Sequence, residues 1–358
     1  MNNPELKFVV PYAVPTLGME RVLLRLVDEL APKIPVSLVL ASGKAPDDLG
    51  VPVELLTRDG GQIGQLGRML RLFWWALTSQ RSPIVAVGVW AALPCLLASI
   101  ISPRQVVVWE HSLSREKIAT SRNLRVLSVA ARLLYKRAAS VVAVSAPLAS
   151  DLTRTAKTTA LVIPNLIGPE PAAESRRHVT TGGVRRLITV GSLTDTKRQD
   201  VVIEALASLP TDYTLSVVGS GPRLESLQRL TQRLGLQSRV TFHGHVEDPD
   251  RLADLLRSAD AMVHAAAGET FGLVYFESAQ HDVPVLAAEN ALVSTTIPRY
   301  VPGRLFNGNA ADLADALRIF RVPSAAEFSR ARALREADLA TPQIVSRWLG
   351  IAEGTRHK

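Results

Sequence analysis

The sequence predicts an α/β protein built from two doubly wound, Rossmann-like domains. Three observations carry that expectation. Short apolar runs alternate with stretches of helical period through the first half of the chain, which is the pattern of a parallel sheet with crossover helices. The alternation stops at Gly168–Arg186, a Pro-, Ala-, Gly- and charge-rich stretch without period, and restarts at Leu187. A length of 358 residues suits two domains of ordinary size better than one.

Taken in order, strands are expected at Lys7–Pro11, Val36–Ala41 and Val53–Leu56, with helices at Met19–Leu30 and Gln65–Leu77. Ser82–Pro103 carries no charge and has the length of a membrane span. It divides instead into a strand at Ile84–Val87, a turn at Gly88 and a buried helix at Trp90–Ile101 broken by Pro94, and the strand Gln105–Trp109 follows. A helix over Arg122–Arg137 and strands at Val141–Val144 and Leu161–Ile163 complete a domain of residues 1–167, with 168–186 as the linker. In the second domain, 187–340, strands are expected at Leu187–Val190, Thr214–Val218 and Val240–His243, and helices at Gln199–Ser208, Arg223–Leu234 and Asp250–Ser258. A strand around Val263 and His264, a helix Phe271–Gln280, an extended run Val283–Leu286 and helices Ala311–Phe320 and Ala325–Leu339 follow.

Composition narrows the function classes. Nearly half of the residues are hydrophobic, which supports two cores and excludes a disordered chain. A single cysteine, Cys95, excludes a disulfide framework and a cysteine-based metal site, and points to a reducing compartment. The N-terminus runs straight into Phe8-Val9-Val10 without a secretory signal pattern, so a cytoplasmic location is expected. The net charge of +8 is uneven: between Gly61 and Ala139 eleven basic residues face only Glu110 and Glu116. Anionic lipid, an acidic acceptor or nucleic acid are the partner classes such a face permits.

The chemistry concentrates in Ala261–Glu289. Glu269 and Glu277 bracket a turn at Gly268–Gly272 and the start of a helix. Backbone N–H groups of Phe271, Gly272 and Leu273 at that start suit an anion, so a phosphate there would have a carboxylate on either side. Such a grouping makes sense if the acids bind hydroxyls, and a sugar nucleotide offers sugar hydroxyls, phosphates and a ribose. Spacing alone also allows a capping Glu269 and a solvated Glu277. The loop Gly191-Ser192-Leu193-Thr194-Asp195-Thr196-Lys197-Arg198 joins a strand to a helix at the carboxyl edge of the second sheet, where Lys197 is placed to meet a diphosphate. Val218-Gly219-Ser220-Gly221-Pro222 is another such turn; Gly-x-Gly alone is a weak nucleotide signal, and a structural turn explains it equally well. Asp248-Pro249-Asp250 has the form of a metal-binding D-x-D, but Pro249 behind Asp248 reads as a helix N-cap, and no metal is expected.

The run E-T-F-G-L-V-Y-F-E followed by P-V-L-A resembles the E-x7-E signature of the family-four retaining glycosyltransferases. The resemblance implies the GT-B fold, two Rossmann-like domains facing a central cleft, with a terminal helix, about 341–358, crossing back to the first domain. In it Lys197 is similar to the basic residue of a G-R-L…K-G motif, with Ser192 where the arginine usually stands and Arg198 where the glycine does. His243-Gly244-His245-Val246 resembles a segment whose backbone at Val246 meets the nucleotide base. Pro15–Arg21 resembles a G-G-x-E loop in which Gly18 approaches the donor phosphate or the acceptor and Leu17 replaces the first glycine. His111, in Trp109-Glu110-His111-Ser112, matches the histidine that faces the transferred sugar. Val144-Ser145 and Ile163-Pro164-Asn165 match further landmarks, and Asp282 replaces a glycine.

The resemblance thus implies a retaining, metal-independent hexosyltransferase that uses a nucleoside diphosphate sugar as co-substrate and no other cofactor, with a UDP-sugar favoured over a GDP-sugar. Lys197, Glu269 and His111 are the implied catalytic residues. Gly18, Ser192, Arg198, Val246, Phe271, Gly272, Leu273 and Glu277 are implied to hold the donor, Glu277 at the ribose. The expected acceptor is lipid-linked or a cell-envelope polysaccharide, met at an anionic membrane surface from the cytoplasmic side. A nucleic-acid acceptor is disfavoured because the charge is interleaved with bulky aliphatics. The rival readings are a catalytically silent sugar-nucleotide-binding protein and a GT-B epimerase.

Overall fold

Apolar strands flanked by amphipathic helices drive this chain into parallel sheets covered on both faces. The structure, a computed structural model, describes residues 5–11, 18–43, 49–57, 64–80, 82–111, 132–172 and 185–354. The chain divides into two units, Met1–Leu166 with Leu339–Lys358, and Ile167–Asp338.

The first unit runs β1 (Leu6–Val10), α1 (Gly18–Leu30), β2 (Val36–Leu40), β3 (Val53–Leu55), α2 (Gln65–Thr78), β4 (Ile84–Val87), α3 (Val89–Ile101), β5 (Val106–Glu110), β6 (Ser140–Ala143), α4 (Ala146–Ala156) and β7 (Leu161–Val162). Its strands are parallel in the order β3-β2-β1-β4-β5-β6-β7. The uncharged run at Ser82–Pro103 is β4 and α3, and no helix among the described residues is long and apolar enough to cross a membrane. The expected break at Pro94 does not occur. Proline removes one hydrogen bond, to Trp90, while Ala91, Ala92, Leu93, Cys95 and Leu96 are all buried around it, and that burial outweighs the loss. Helix α4 was not anticipated, although Ser145 caps it by accepting from the Leu148 N–H at 3.4 Å and Pro147 stands in its first turn. Of the helix expected over Arg122–Arg137, residues 122–131 lie outside the described residues, and Leu134–Arg137 form a 3₁₀ turn.

The second unit runs β8 (Arg186–Val190), α5 (Gln199–Ala207), β9 (Thr214–Val218), α6 (Leu224–Arg233), β10 (Val240–Gly244), α7 (Pro249–Ser258), β11 (Ala261–His264), α8 (Leu273–Gln280), β12 (Val285–Ala288), α9 (Val293–Tyr300), β13 (Gly303–Phe306), α10 (Ala310–Arg318) and α11 (Ala325–Asp338). The strands are parallel in the order β10-β9-β8-β11-β12-β13. Leu187 pairs with Leu215 on one side and Ala261 on the other, which fixes β8 and β11 as neighbours. The start of this unit is fastened by Gln280, whose side chain donates to the Gly168 carbonyl, and by Arg335, whose Nε donates to Glu170 at 2.7 Å. Residues 173–184 of the expected linker lie outside the described residues.

The last helix, α12 (Thr341–Gly354), belongs to the first unit. Its Trp348 packs edge-on against Trp109 of β5 at 4.9 Å and against Phe8 of β1 at 6.0 Å. Three rings from three distant segments thereby close one core.

Candidate active site

In the second sheet the strand order reverses at β8 and β11, because β9 lies on one side of β8 and β11 on the other. Loops leaving the carboxyl ends of two such strands flank a crevice, the usual ligand position of an open parallel sheet. Here they are Gly191–Arg198 after β8 and Ala265–Gly272 after β11. The Ala267 N–H donates to the Thr196 carbonyl at 3.2 Å, which ties the two loops together.

That tie sets Lys197 against Glu269, and the Lys197 ammonium donates to Glu269 Oε1. The same oxygen accepts from His264 Nε2 at 3.1 Å. Burial pushes the Glu269 carboxyl upward, but the His264 hydrogen bond and the Lys197 charge outweigh it and hold the group at about 2. Burial pushes the His264 imidazole below its ordinary value, against the pull of Glu269. Sequence reasoning missed His264; the available signal was a histidine ending a strand five residues before the acid.

Glycines set the shape of the crevice. A Cβ on Gly219 would lie 2.0 Å from the Gly191 carbonyl oxygen, and one on Gly221 would lie 2.4 Å from that of Leu193. The Gly219-Ser220-Gly221 turn therefore backs the Gly191–Leu193 loop, with the Leu193 N–H donating to the Ser220 carbonyl at 2.9 Å. Ser192 is exposed, and its carbonyl accepts from Gln199 Nε2 at 3.1 Å.

Helix α8 begins at Leu273, two residues later than expected, because Gly272 takes a left-handed φ of 71° and ends the preceding loop there. Any side chain on Gly272 would collide with the Tyr275 ring, 2.4 Å from its Cβ position. Phe271 therefore stands before the helix, buried in a stack on Phe276 at 5.0 Å, and Glu277 is the fifth helical residue, about one turn in rather than two. Neither Gly272 before α8 nor Arg198 before α5 caps its helix with a side chain, although the Tyr275 and Val201 N–H groups turn back to the Gly272 and Arg198 carbonyls at 3.0 and 3.1 Å, and a helix start without a side-chain cap suits an anion. Arg198 precedes α5 in a left-handed conformation, φ 52°, and its guanidinium lies beside Gly308 past β13. Val246 follows β10, on the same carboxyl edge. Asp248 caps α7 by accepting from the Asp250 N–H at 2.9 Å with Pro249 first in the helix, the arrangement read from the sequence.

Gly18 and His111 belong to the first unit. Gly18 opens α1, and residues 12–17 before it lie outside the described residues, as does Ser112. His111 follows β5 directly and is buried, with its ring 4.4 Å from that of Trp109. The His111 backbone N–H donates to Glu110 Oε1 at 3.1 Å, while Glu110 Oε2 accepts from the Tyr135 hydroxyl at 2.6 Å and lies 3.6 Å from Arg132 Nη2. Arg132, 1% exposed, thus pairs with a buried acid and is not part of the basic face expected between Gly61 and Ala139.

Residues 172–321 match the family described as "Glycosyl transferases group 1". Among curated relatives, the D-inositol 3-phosphate glycosyltransferase of Nocardia farcinica is 35% identical over 139 residues, 36% of this chain and 31% of that protein. The GDP-mannose-dependent alpha-(1-6)-phosphatidylinositol monomannoside mannosyltransferase of Mycobacterium tuberculosis is 30% identical over 161 residues, 42% of each chain. The chain thus spans less than half the length of these relatives. Among solved structures, the Anabaena protein HepE, in complex with UDP and glucose, superposes with a TM-score of 0.79 and 21% identity over 98% of this chain and 99% of its own. The glycosyltransferase resemblance is thus matched by the family model over residues 172–321, and the fold is GT-B.

Proposed function

We propose that this chain, whose residues 172–321 form a group 1 glycosyltransferase domain on a GT-B fold, transfers a sugar with retention of configuration from a nucleoside diphosphate sugar to a lipid-linked or cell-envelope acceptor. The observation that carries the reading is the Lys197–Glu269 pair at the strand-order reversal of the second sheet, flanked by two uncapped helix starts. Cation and helix starts suit the diphosphate, and the carboxylate suits sugar hydroxyls.

In this mechanism the bond from the anomeric carbon to the diphosphate oxygen breaks, and Lys197, with Arg198, Ser192 and the α8 start at Gly272 and Leu273, stabilises the charge left on the diphosphate. The acceptor hydroxyl attacks from the face being vacated, and its proton passes to the departing phosphate oxygen. Glu269 holds sugar hydroxyls, Glu277 the ribose, the backbone at Val246 the base, and His111 and Gly18 of the first unit serve the sugar and phosphate. The donor class is favoured as UDP-sugar, since a fold neighbour was solved with UDP and glucose, with a GDP-sugar second, since a relative is named for GDP-mannose. That relative's phosphatidylinositol acceptor supports a lipid-linked substrate here, met at the inner membrane face. Transfer is proposed to need no metal, because Asp248, the one D-x-D acid that could begin such a site, is spent as a helix cap.

Thermal-shift and calorimetric screening of UDP-, GDP- and ADP-sugars, followed by donor hydrolysis with and without EDTA, tests this. Binding with turnover that EDTA leaves intact is expected. Binding without hydrolysis or transfer to any acceptor would favour the silent binding protein, and EDTA inhibition rescued by manganese would overturn the metal-free mechanism.

A further inference from the structure

His264 takes no part in the donor contacts proposed above, yet it is the last residue of β11, 1% exposed, and its Nε2 lies 3.1 Å from the Glu269 oxygen that also holds Lys197. The Tyr275 ring stands edge-on to it at 5.2 Å, and Gly191 lies close by on the loop after β8, where an added Cβ would stand 3.8 Å from His264 Cε1. The imidazole is therefore wedged between the loop after β8 and the helix after β11.

That position matters when a donor arrives. A diphosphate competes with Glu269 for the Lys197 ammonium, and a largely buried carboxylate that loses its cation must keep some other donor or lose its place. We propose that His264 is a positioning residue, which holds the Glu269 carboxylate toward the sugar hydroxyls by donating its Nε2–H when Lys197 turns to the diphosphate. This rests on the roles given to Lys197 and Glu269 above. The backbone and ring contacts of His264 fix the direction of that hydrogen bond in advance, so Glu269 needs no rearrangement as the charge moves.

The test compares His264→Leu, which fills the space without a donor, and His264→Gln, whose amide nitrogen reproduces the Nε2 donor. UDP alone and UDP-glucose hydrolysis are the first probes. His264→Leu should lower kcat by about 30-fold or more and leave UDP affinity within about threefold, and His264→Gln should recover most of the lost kcat. Unchanged kcat in His264→Leu, UDP affinity falling in step with kcat, or His264→Gln no better than His264→Leu would each overturn the proposal. Should His264→Leu not fold, ¹⁵N NMR of the wild-type imidazole decides, since a proton on Nε2 is required and a neutral Nδ1–H tautomer contradicts it. A wild type that binds no nucleotide sugar would instead sink the proposed function, and the NMR result would still report on the His264–Glu269 bond by itself.

Discussion

At the scale of single residues, Glu269 and Glu277 are distinguished by their surroundings. Glu269 is pinned by a lysine and a histidine, whereas Glu277 is the fifth residue of α8. Glu277→Ala should weaken binding of the nucleoside diphosphate by roughly 1.5–3 kcal/mol, the cost of removing a charged acceptor from ribose hydroxyls, while Glu269→Ala lowers turnover more than affinity. Calorimetry with the diphosphate alone checks this, and a worse defect for Glu269→Ala would reverse the two roles. Lys197→Ala should reduce turnover by about 100-fold, as expected for losing a contact to leaving-group charge. The ionised state of Glu269 also has a sign that pH reveals. Its folded pKa is about 2, below the ordinary value, so the unfolded chain binds the extra proton first; the stabilisation is complete above the ordinary carboxyl range and is lost as pH falls toward 2. Carboxyl ¹³C shifts, assigned with Glu269→Gln, should show no titration of Glu269 between pH 6 and about 3, and an ordinary midpoint would mean the ion pair is absent. The two acids and Lys197 were legible as separate motifs. Their meeting at one oxygen, and His264 beneath them, depend on which strands are neighbours, which spacing along the chain does not encode.

At the scale of elements, two departures from the family motif become intelligible in the backbone. Arg198 and Asp282 stand where glycine is usual, and among the described residues they are two of only three non-glycine positions with positive φ, at 52° and 55°. The turns kept their left-handed geometry and changed the side chain. Such a conformation costs about 1–2 kcal/mol for an L-residue, and glycine's larger unfolded-state entropy returns about 0.5–1 of it. Arg198→Gly should therefore raise Tm by roughly 1–3 °C while lowering turnover. Asp282→Gly should not, because the Asp282 carboxylate accepts from Arg332 Nη2 at 2.9 Å, a shielded ion pair whose loss offsets the relief. Equal stabilisation by both in differential scanning calorimetry would show that the Arg332 pair contributes nothing. Of the elements that the sequence hid, β13 has four residues and α9 has eight with a proline inside, too little for a periodic signal, while α4, with eleven, was marked by its Ser145 cap and Pro147 rather than by period; α1 and β1–β2 were placed within a residue or two.

At the scale of the whole molecule, the two-sheet plan was legible because a buried parallel strand must be apolar throughout and a crossover helix must follow it, and that rhythm survives without any tertiary information. Surface chemistry was less legible, since an apolar stripe reads the same whether it faces a core or a solvent. Helix α2 shows why. Leu72, Trp75 and Ala76 face inward, yet Leu66, Leu70 and Trp74 recur every fourth residue at 68%, 53% and 60% exposure. The helix thus carries a second apolar face, next to Arg71, in a chain of net charge +8. Outward leucines and a tryptophan beside cations suit a lipid interface, where the ring settles at the boundary and the cation meets anionic headgroups. The protein should co-sediment with anionic vesicles at low ionic strength, ignore zwitterionic ones, and be released as salt is raised. Replacing Leu66, Leu70 and Trp74 together by serine should abolish that binding while UDP affinity stays at the wild-type value, since those residues lie in the first unit and Lys197, Glu269 and Glu277 in the second. Equal indifference to both vesicle types, with tight DNA binding in the same buffer, would end the membrane reading and move the acceptor to nucleic acid.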